Sequence, residues 1–164
     1  MCSITKFSIR RIRKLEISRK ITEKMFKNLV DLENLKQMDQ QSMGGYLGIE
    51  YLEVGSDYLK ARMPVDHRTK QPFGLLHGGA SVVLAETLGS IASFLCLEDP
   101  SKQRAVGLEI NANHLRAVTS GWVYGTTRPL HVGRRTQVWE TRITNEDDKL
   151  VCVSRLTVSI VDAS

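Results

Sequence analysis

The chain is 164 residues long, 41% hydrophobic and 25% charged, which suits one globular domain with a real core and counts against a disordered tail or a two-domain enzyme. Its formal charge of +5 is unevenly placed: residues 1–28 carry nine Lys/Arg against Glu16 and Glu23, a net of +7, and the other 136 residues carry a net of −2. A domain that neutralises many phosphates shows a basic face of its own, so nucleic acid is not an expected partner of this mildly acidic body.

Residues 1–28 read as a basic N-terminal extension, solvated or disordered. Ile4, Phe7, Ile12, Leu15 and Ile21 recur at loosely helical spacing among basic residues, without the continuous apolar stretch and small-residue cleavage site of a secretory signal. A cationic amphipathic helix at a membrane surface and an organellar transit peptide stay open, with Glu16 and Glu23 counting against the second. Met25 already begins a segment that reads like the start of a domain, and the domain is expected over residues 29–164.

Leu29, Leu32, Leu35 and Met38 lie three apart and predict a short helix, ended by Gly44-Gly45. Residues 46–54 and 58–65, separated by Gly55-Ser56-Asp57, predict a hairpin. Residues 66–76, with Pro72 and Gly74, predict a loop. A long helix is expected over residues 78–97, apolar on nearly every side and so buried by surrounding structure. Ser81, Glu86, Thr87, Gly89, Ser90 and Ser93 interrupt it, so no membrane-spanning segment is expected.

Four strand-like runs follow, at residues 105–116, 122–131, 137–144 and 150–161. The order of elements predicts an α+β fold with the sheet curled around the long helix. Cys2, Cys96 and Cys152 are widely spaced and form no C-x-x-C pair, so neither a disulfide framework nor a zinc site is expected, and a cytoplasmic location fits.

Two oddities mark residues 71–90. Gly78 and Gly79 open the long helix, where backbone N–H groups lack intrahelical acceptors and the dipole favours negative charge. Without a Cβ they admit a substrate oxygen, as an oxyanion site requires, although close packing alone explains two glycines equally well. Glu86 is the only charged residue between His77 and Glu98. Among Leu84, Ala85, Leu88 and Ile91 it is expected to be desolvated and a stronger base; the alternative is a structural Glu reaching solvent or pairing with an Arg.

Glu86 lies eight residues past Gly78, about 12 Å along the axis. One reacting group cannot touch both from a single chain, so a joint site requires two chains related by a two-fold axis. Ser90 shares the face of Glu86, whereas Gln71 and His77 fall at the glycine end. Ser81 lacks a G-x-S-x-G setting, Cys96 has no neighbouring His or Lys, and His67, His77, His114 and His131 show no metal-ligand spacing.

The segment Met63-Pro64-Val65-Asp66, with Arg68 and the run QPFGLLHGGASVVLAETLGS over residues 71–90, closely resembles the hotdog-fold acyl-CoA thioesterases. That group includes the 1,4-dihydroxy-2-naphthoyl-CoA hydrolases and the enterobactin-pathway proofreading thioesterase. The likeness runs over residues 29–161.

The resemblance implies a long helix wrapped by a curved antiparallel sheet, in a homo-oligomer: a dimer or a dimer of dimers (homotetramer) with active sites at the dimer interface. It implies no cofactor. It makes Glu86 the catalytic carboxylate, as nucleophile or general base, and gives Gly78 N–H the thioester oxygen. Gln71 and His77 would position thioester or water, with Ser90 supporting Glu86. Gly107, then Asn113, His114, Leu115 and Arg116, and finally His131, Val132, Gly133, Arg134, Arg135 and Thr136 fall in the coenzyme A path. Leu115 and Ala117 stand where relatives often carry His and Pro.

The expected function is hydrolysis of an acyl-CoA thioester with an aromatic or other bulky acyl group. The alternatives are a hotdog acyl-thioester dehydratase or hydratase, whose His-Phe-Pro-Gly style of loop is missing, and a non-catalytic CoA-binding protein, against which Glu86, Gln71 and His77 together argue.

Overall fold

Helix α1 (Leu32–Asp39) starts where Asp31 accepts the Asn34 N–H at 2.8 Å, and it buries Leu35 completely. A second short helix, α2 (Met43–Leu47), starts at Ser42, whose hydroxyl accepts the Gly44 N–H at 3.1 Å. Gly44 and Gly45, expected to end the first helix, therefore lie inside the second. Neither has room for a Cβ, because Asp39 and Gln40 fold back onto them. This turn also takes up residues 46–49, so the first strand begins later than the sequence suggests. The computed structural model describes residues 25–28 and 30–163; the readings made for residues 1–24 lie outside the described residues.

Strands β1 (Glu50–Val54) and β2 (Leu59–Pro64) form the expected hairpin, and residues 65–77 lead to helix α3 (Gly78–Leu95). Strands β3 (Gln103–His114), β4 (Trp122–Val132), β5 (Thr136–Thr144) and β6 (Leu150–Asp162) complete a six-stranded antiparallel sheet in the order β1-β2-β4-β5-β6-β3. This is the hotdog arrangement: one helix against a curved sheet.

By length and composition alone α3 is apolar enough to cross a membrane, contrary to the sequence expectation. Its packing gives another reason for that composition. Leu84, Leu88 and Ala92 are fully buried, and Ser81, Ala85, Gly89 and Ser93, four residues apart, present a small-residue ridge. A Cβ at Gly89 would stand 2.6 Å from Leu156 Cδ2, so the sheet approaches as closely as the helix backbone permits. Inward residues of alternate strand positions, among them Leu59, Ala61, Met63, Val123, Ile143 and Val158, complete the core.

Residues 25–28 were assigned to the extension by sequence, yet they belong to this core. Phe26 is 2% exposed and stacks on the buried Trp139, ring centroids 6.4 Å apart. The Lys27 and Asn28 N–H groups both donate to Leu95 O, at 2.7 and 3.0 Å, and Asn28 Nδ2 donates to Leu97 O at 2.7 Å. The packed domain thus includes Met25 to Asn28, with Lys27 also paired to Glu98.

Strand β3 is the sheet edge beyond β6, and among the described residues no strand pairs with its other side. Its register shifts between Gly107 and Glu109. The shift directs Ala105 and Gly107 on one side of it, and Ile110 and Ala112 on the other, towards the core, leaving Val106 and Leu108 47% and 64% exposed. The long edge strand therefore presents apolar side chains on the outer face of the sheet.

Candidate active site

The loop before α3 is held from below. Thr69, 1% exposed, donates its hydroxyl to Pro64 O at 2.7 Å and accepts the Asp66 N–H at 3.1 Å. Asp66 is bound by Arg68, whose guanidinium holds the Asp66 carboxyl down at about 2. His77 N–H donates to Thr69 O at 2.8 Å and Leu76 N–H to Val118 O at 2.8 Å, which fixes the point where the helix begins. Gln71 sits on the turn above, its side-chain oxygen accepting the Phe73 N–H, so its amide NH2 is the end left to meet a ligand.

His77 is the N-cap of α3: its Nδ1 accepts the Gly79 N–H at 2.8 Å. That bond places the proton of the neutral imidazole on Nε2. The next free donor is Gly78 N–H, which has no acceptor among the described residues. A Cβ at Gly78 would lie 2.8 Å from His114 Nε2, so glycine is required for the helix start and this imidazole to meet. Gln71, Gly78, Ser81, His114, Leu115 and Arg116 line one open cleft of about 360 Å3, walled by Leu75, Leu76, Ala117 and Val151.

Glu86 lies outside that cleft's lining. It is half-buried on α3, its Oε1 accepting the Ser90 hydroxyl at 3.4 Å. Burial raises its pKa above the ordinary glutamate value, and the Ser90 bond offsets only part of the rise. No Arg or Lys pairs with it among the described residues. Gly107, placed by sequence in the coenzyme A path, lies against this carboxylate: a Cβ there would stand 2.5 Å from Glu86 Oε1.

The predicted site residues thus fall into three groups within one chain. Gln71, His77, Gly78, His114, Leu115 and Arg116 gather at the start of α3, while Asn113, exposed on β3, adjoins them in sequence. Glu86, Ser90 and Gly107 gather at its middle. His131, Val132, Gly133, Arg134, Arg135 and Thr136 form the β4–β5 turn, and Val132, Gly133 and Arg134 line a second cavity of about 500 Å3 with Cys96, Leu97 and Glu98 at the other end of α3. Sequence reasoning missed that Gly107 makes room for Glu86 and that Ser81 faces the cleft; an isolated glycine within a strand pattern is the signal for the first.

Residues 73–152 match the family model described as the thioesterase superfamily. The chain is 53% identical over 137 residues to the 1,4-dihydroxy-2-naphthoyl-CoA hydrolase of Escherichia coli (strain K12), a match spanning 84% of this chain and 99% of that protein. It is 49% identical over 137 residues to a proofreading thioesterase of Cronobacter turicensis, spanning 84% and 98%. Among solved structures, a Haemophilus influenzae thioesterase superposes with a TM-score of 0.81 at 53% identity, over 84% of this chain and 95% of that one. A mutant thioesterase of Pseudomonas aeruginosa gives 0.83 at 50% identity, over 85% and 99%.

Proposed function

The chain belongs to the thioesterase superfamily, and from that premise we propose that it hydrolyses acyl-CoA thioesters carrying an aromatic or similarly bulky acyl group, in sites shared between two copies. The observation that carries this reading is the Gly78 N–H at the start of α3, without an acceptor among the described residues and beside an open cleft, with a desolvated carboxylate, Glu86, eight residues further along the same helix.

Gly78 N–H and the positive end of the helix receive the thioester oxygen and stabilise the charge that develops there. Glu86 of the partner subunit, ionised, attacks the carbonyl carbon or takes a proton from the attacking water. In the water route the C–S bond breaks as the tetrahedral intermediate collapses, and the proton taken from water by Glu86 passes to the leaving sulfur, so coenzyme A departs as the thiol. In the nucleophile route the same C–S bond breaks to leave a Glu86 anhydride, which water hydrolyses to free acid and carboxylate. Gln71 donates its free amide N–H to thioester or water, and Ser90 holds the carboxylate's orientation.

Two copies joined antiparallel through the open edge of β3 account for the three separated groups. Such pairing sets the start of one β3 beside the end of the other, which brings residues 113–116 of one copy towards the β4–β5 turn of its neighbour. Arg116, Arg134 and Arg135 then supply guanidinium partners for the phosphates of coenzyme A. The exposed Val106 and Leu108 then gain cross-strand neighbours from the second copy.

The test is free-thiol release from a panel of aromatic and aliphatic acyl-CoAs. Fastest release from aroyl-CoAs is the expected result, and no release from any member overturns the reading. Mixing Glu86→Ala with Gln71→Ala protein, each inactive alone, restores activity if sites are shared and subunits exchange.

A further inference from the structure

Gly107 sits within β3, the outermost strand of the sheet, where glycine is locally unfavourable because it loses more backbone entropy and packs no side chain. Two ordinary reasons for a glycine fail here. Its φ lies outside the left-handed region, which among the described glycines only Gly48, Gly74 and Gly121 occupy, so any residue could take this backbone. Nor does it serve close packing of the core, as Gly89 and Gly125 do: a Cβ on those would meet the buried Leu156 at 2.6 Å and the buried Leu88 at 2.7 Å. The atom that a Gly107 Cβ would strike is Glu86 Oε1, while Leu156 Cδ1 stands off at 3.8 Å.

The Glu86 carboxylate has little else to direct it. Its one hydrogen bond among the described residues comes from Ser90 at 3.4 Å, longer than the roughly 2.5–3.0 Å of a well-formed O–H···O bond. So long a bond leaves the side chain free to change rotamer, and its direction then depends on the space around it. The bare backbone at Gly107 is that space. Strand β3 pairs with β6 on one side and with no described strand on the other, so the carboxylate lies over the border of the subunit.

We propose that Gly107 is a positioning residue, its missing side chain forming the slot that holds the Glu86 carboxylate at the edge of the sheet, facing the thioester bound by a second copy. The proposal rests on the hydrolase reading above and changes the part given to Gly107, from a contact of coenzyme A to a support of the carboxylate. Oε1 is the far end of a flexible side chain, so a methyl group at residue 107 displaces the carboxylate and leaves the sheet in place. A misplacement of about 1 Å is enough to lose the attacking geometry. The cost falls on turnover and not on the fold.

The experiment compares wild type, Gly107→Ala and Gly107→Ser on the acyl-CoA that wild type cleaves fastest, with coenzyme A affinity by calorimetry and thermal melting of all three. Both substitutions should lower kcat by about tenfold to a hundredfold. KM and the Kd for coenzyme A should stay within about twofold, as for an interaction that acts only in the transition state. Tm should hold or rise, since glycine is the weaker residue within a strand. An unchanged kcat, a KM or Kd that rises with the loss, or a fall in Tm overturns the proposal and leaves the hydrolase reading standing. Absence of cleavage of any acyl-CoA by wild type overturns both.

Discussion

The two ends of helix α3 pose the same physical problem and meet opposite solutions. Every helix leaves backbone groups without intrahelical partners at each end. At the C-terminal end the chain supplies them itself: Lys27 and Asn28 donate backbone N–H groups to Leu95 O, the Asn28 side chain reaches Leu97 O, and Phe26 seals the region against Trp139. At the N-terminal end, among the described residues, only the Gly79 N–H is capped by a side chain, through His77, and Gly78 N–H opens onto a cleft. A closed end contributes stability, and an open end keeps its dipole for a ligand. Changes at the two ends should therefore separate stability from activity.

The largest effect is expected at Glu86, the carboxylate that the proposed mechanism brings from a second copy to the open end. Glu86→Gln should lower kcat by about a thousandfold or more, the scale of a lost general base or nucleophile, without lowering Tm. Steady-state kinetics and calorimetry on one preparation check both halves. Phe26→Ala should do the reverse. Truncating a buried aromatic is destabilising by about 3–5 kcal/mol, read by denaturant unfolding, while kcat of the folded fraction stays near wild type. A fall in kcat alone would break the comparison.

Gly78→Ala should come next, with about a hundredfold loss in kcat/KM as the new methyl meets His114 and crowds the proposed oxyanion position. Its melting temperature should hold, since alanine is the better helix former. The smallest effect is the pH dependence. Because burial raises the Glu86 pKa in the folded state, the folded protein binds that proton more tightly than the unfolded chain. Its contribution to stability therefore declines as pH rises from the ordinary glutamate value through the raised one, and is flat beyond. The proposed mechanism uses the ionised form, so the acid limb of kcat/KM should have its midpoint above about 4.5. Glu86→Gln should remove the stability slope, measured as the difference in unfolding free energy across that window.

Much of this was legible along the chain. The strands from residue 103 onward match the sequence reading within about two residues, because turn residues bound each apolar run. The helix start at Gly78 and the isolation of Glu86 were visible for the same reason: both depend on local pattern. The reading failed where contacts are distant in sequence. Gly44 and Gly45 looked like a helix stop, but Asp39 and Gln40 pack onto them and Ser42 starts another turn. Phe26 was grouped with the basic extension because charge dominates its neighbours, and its partner Trp139 is 113 residues away.

The sequence by itself determined the order of elements, the single apolar helix and the chemical types gathered around residues 71–90, since period, caps and glycines act over a few residues. Only the tertiary structure decided which of those groups meet. The register shift in β3 kept the core side for Ile110 and Ala112 after Gly107 had faced Glu86, and the fold of residues 65–77 set Gln71 and Ser81 in one cleft with His114. A one-residue change of register reverses the side of every following side chain. That reversal is fixed by pairing across the sheet, between residues the chain holds far apart.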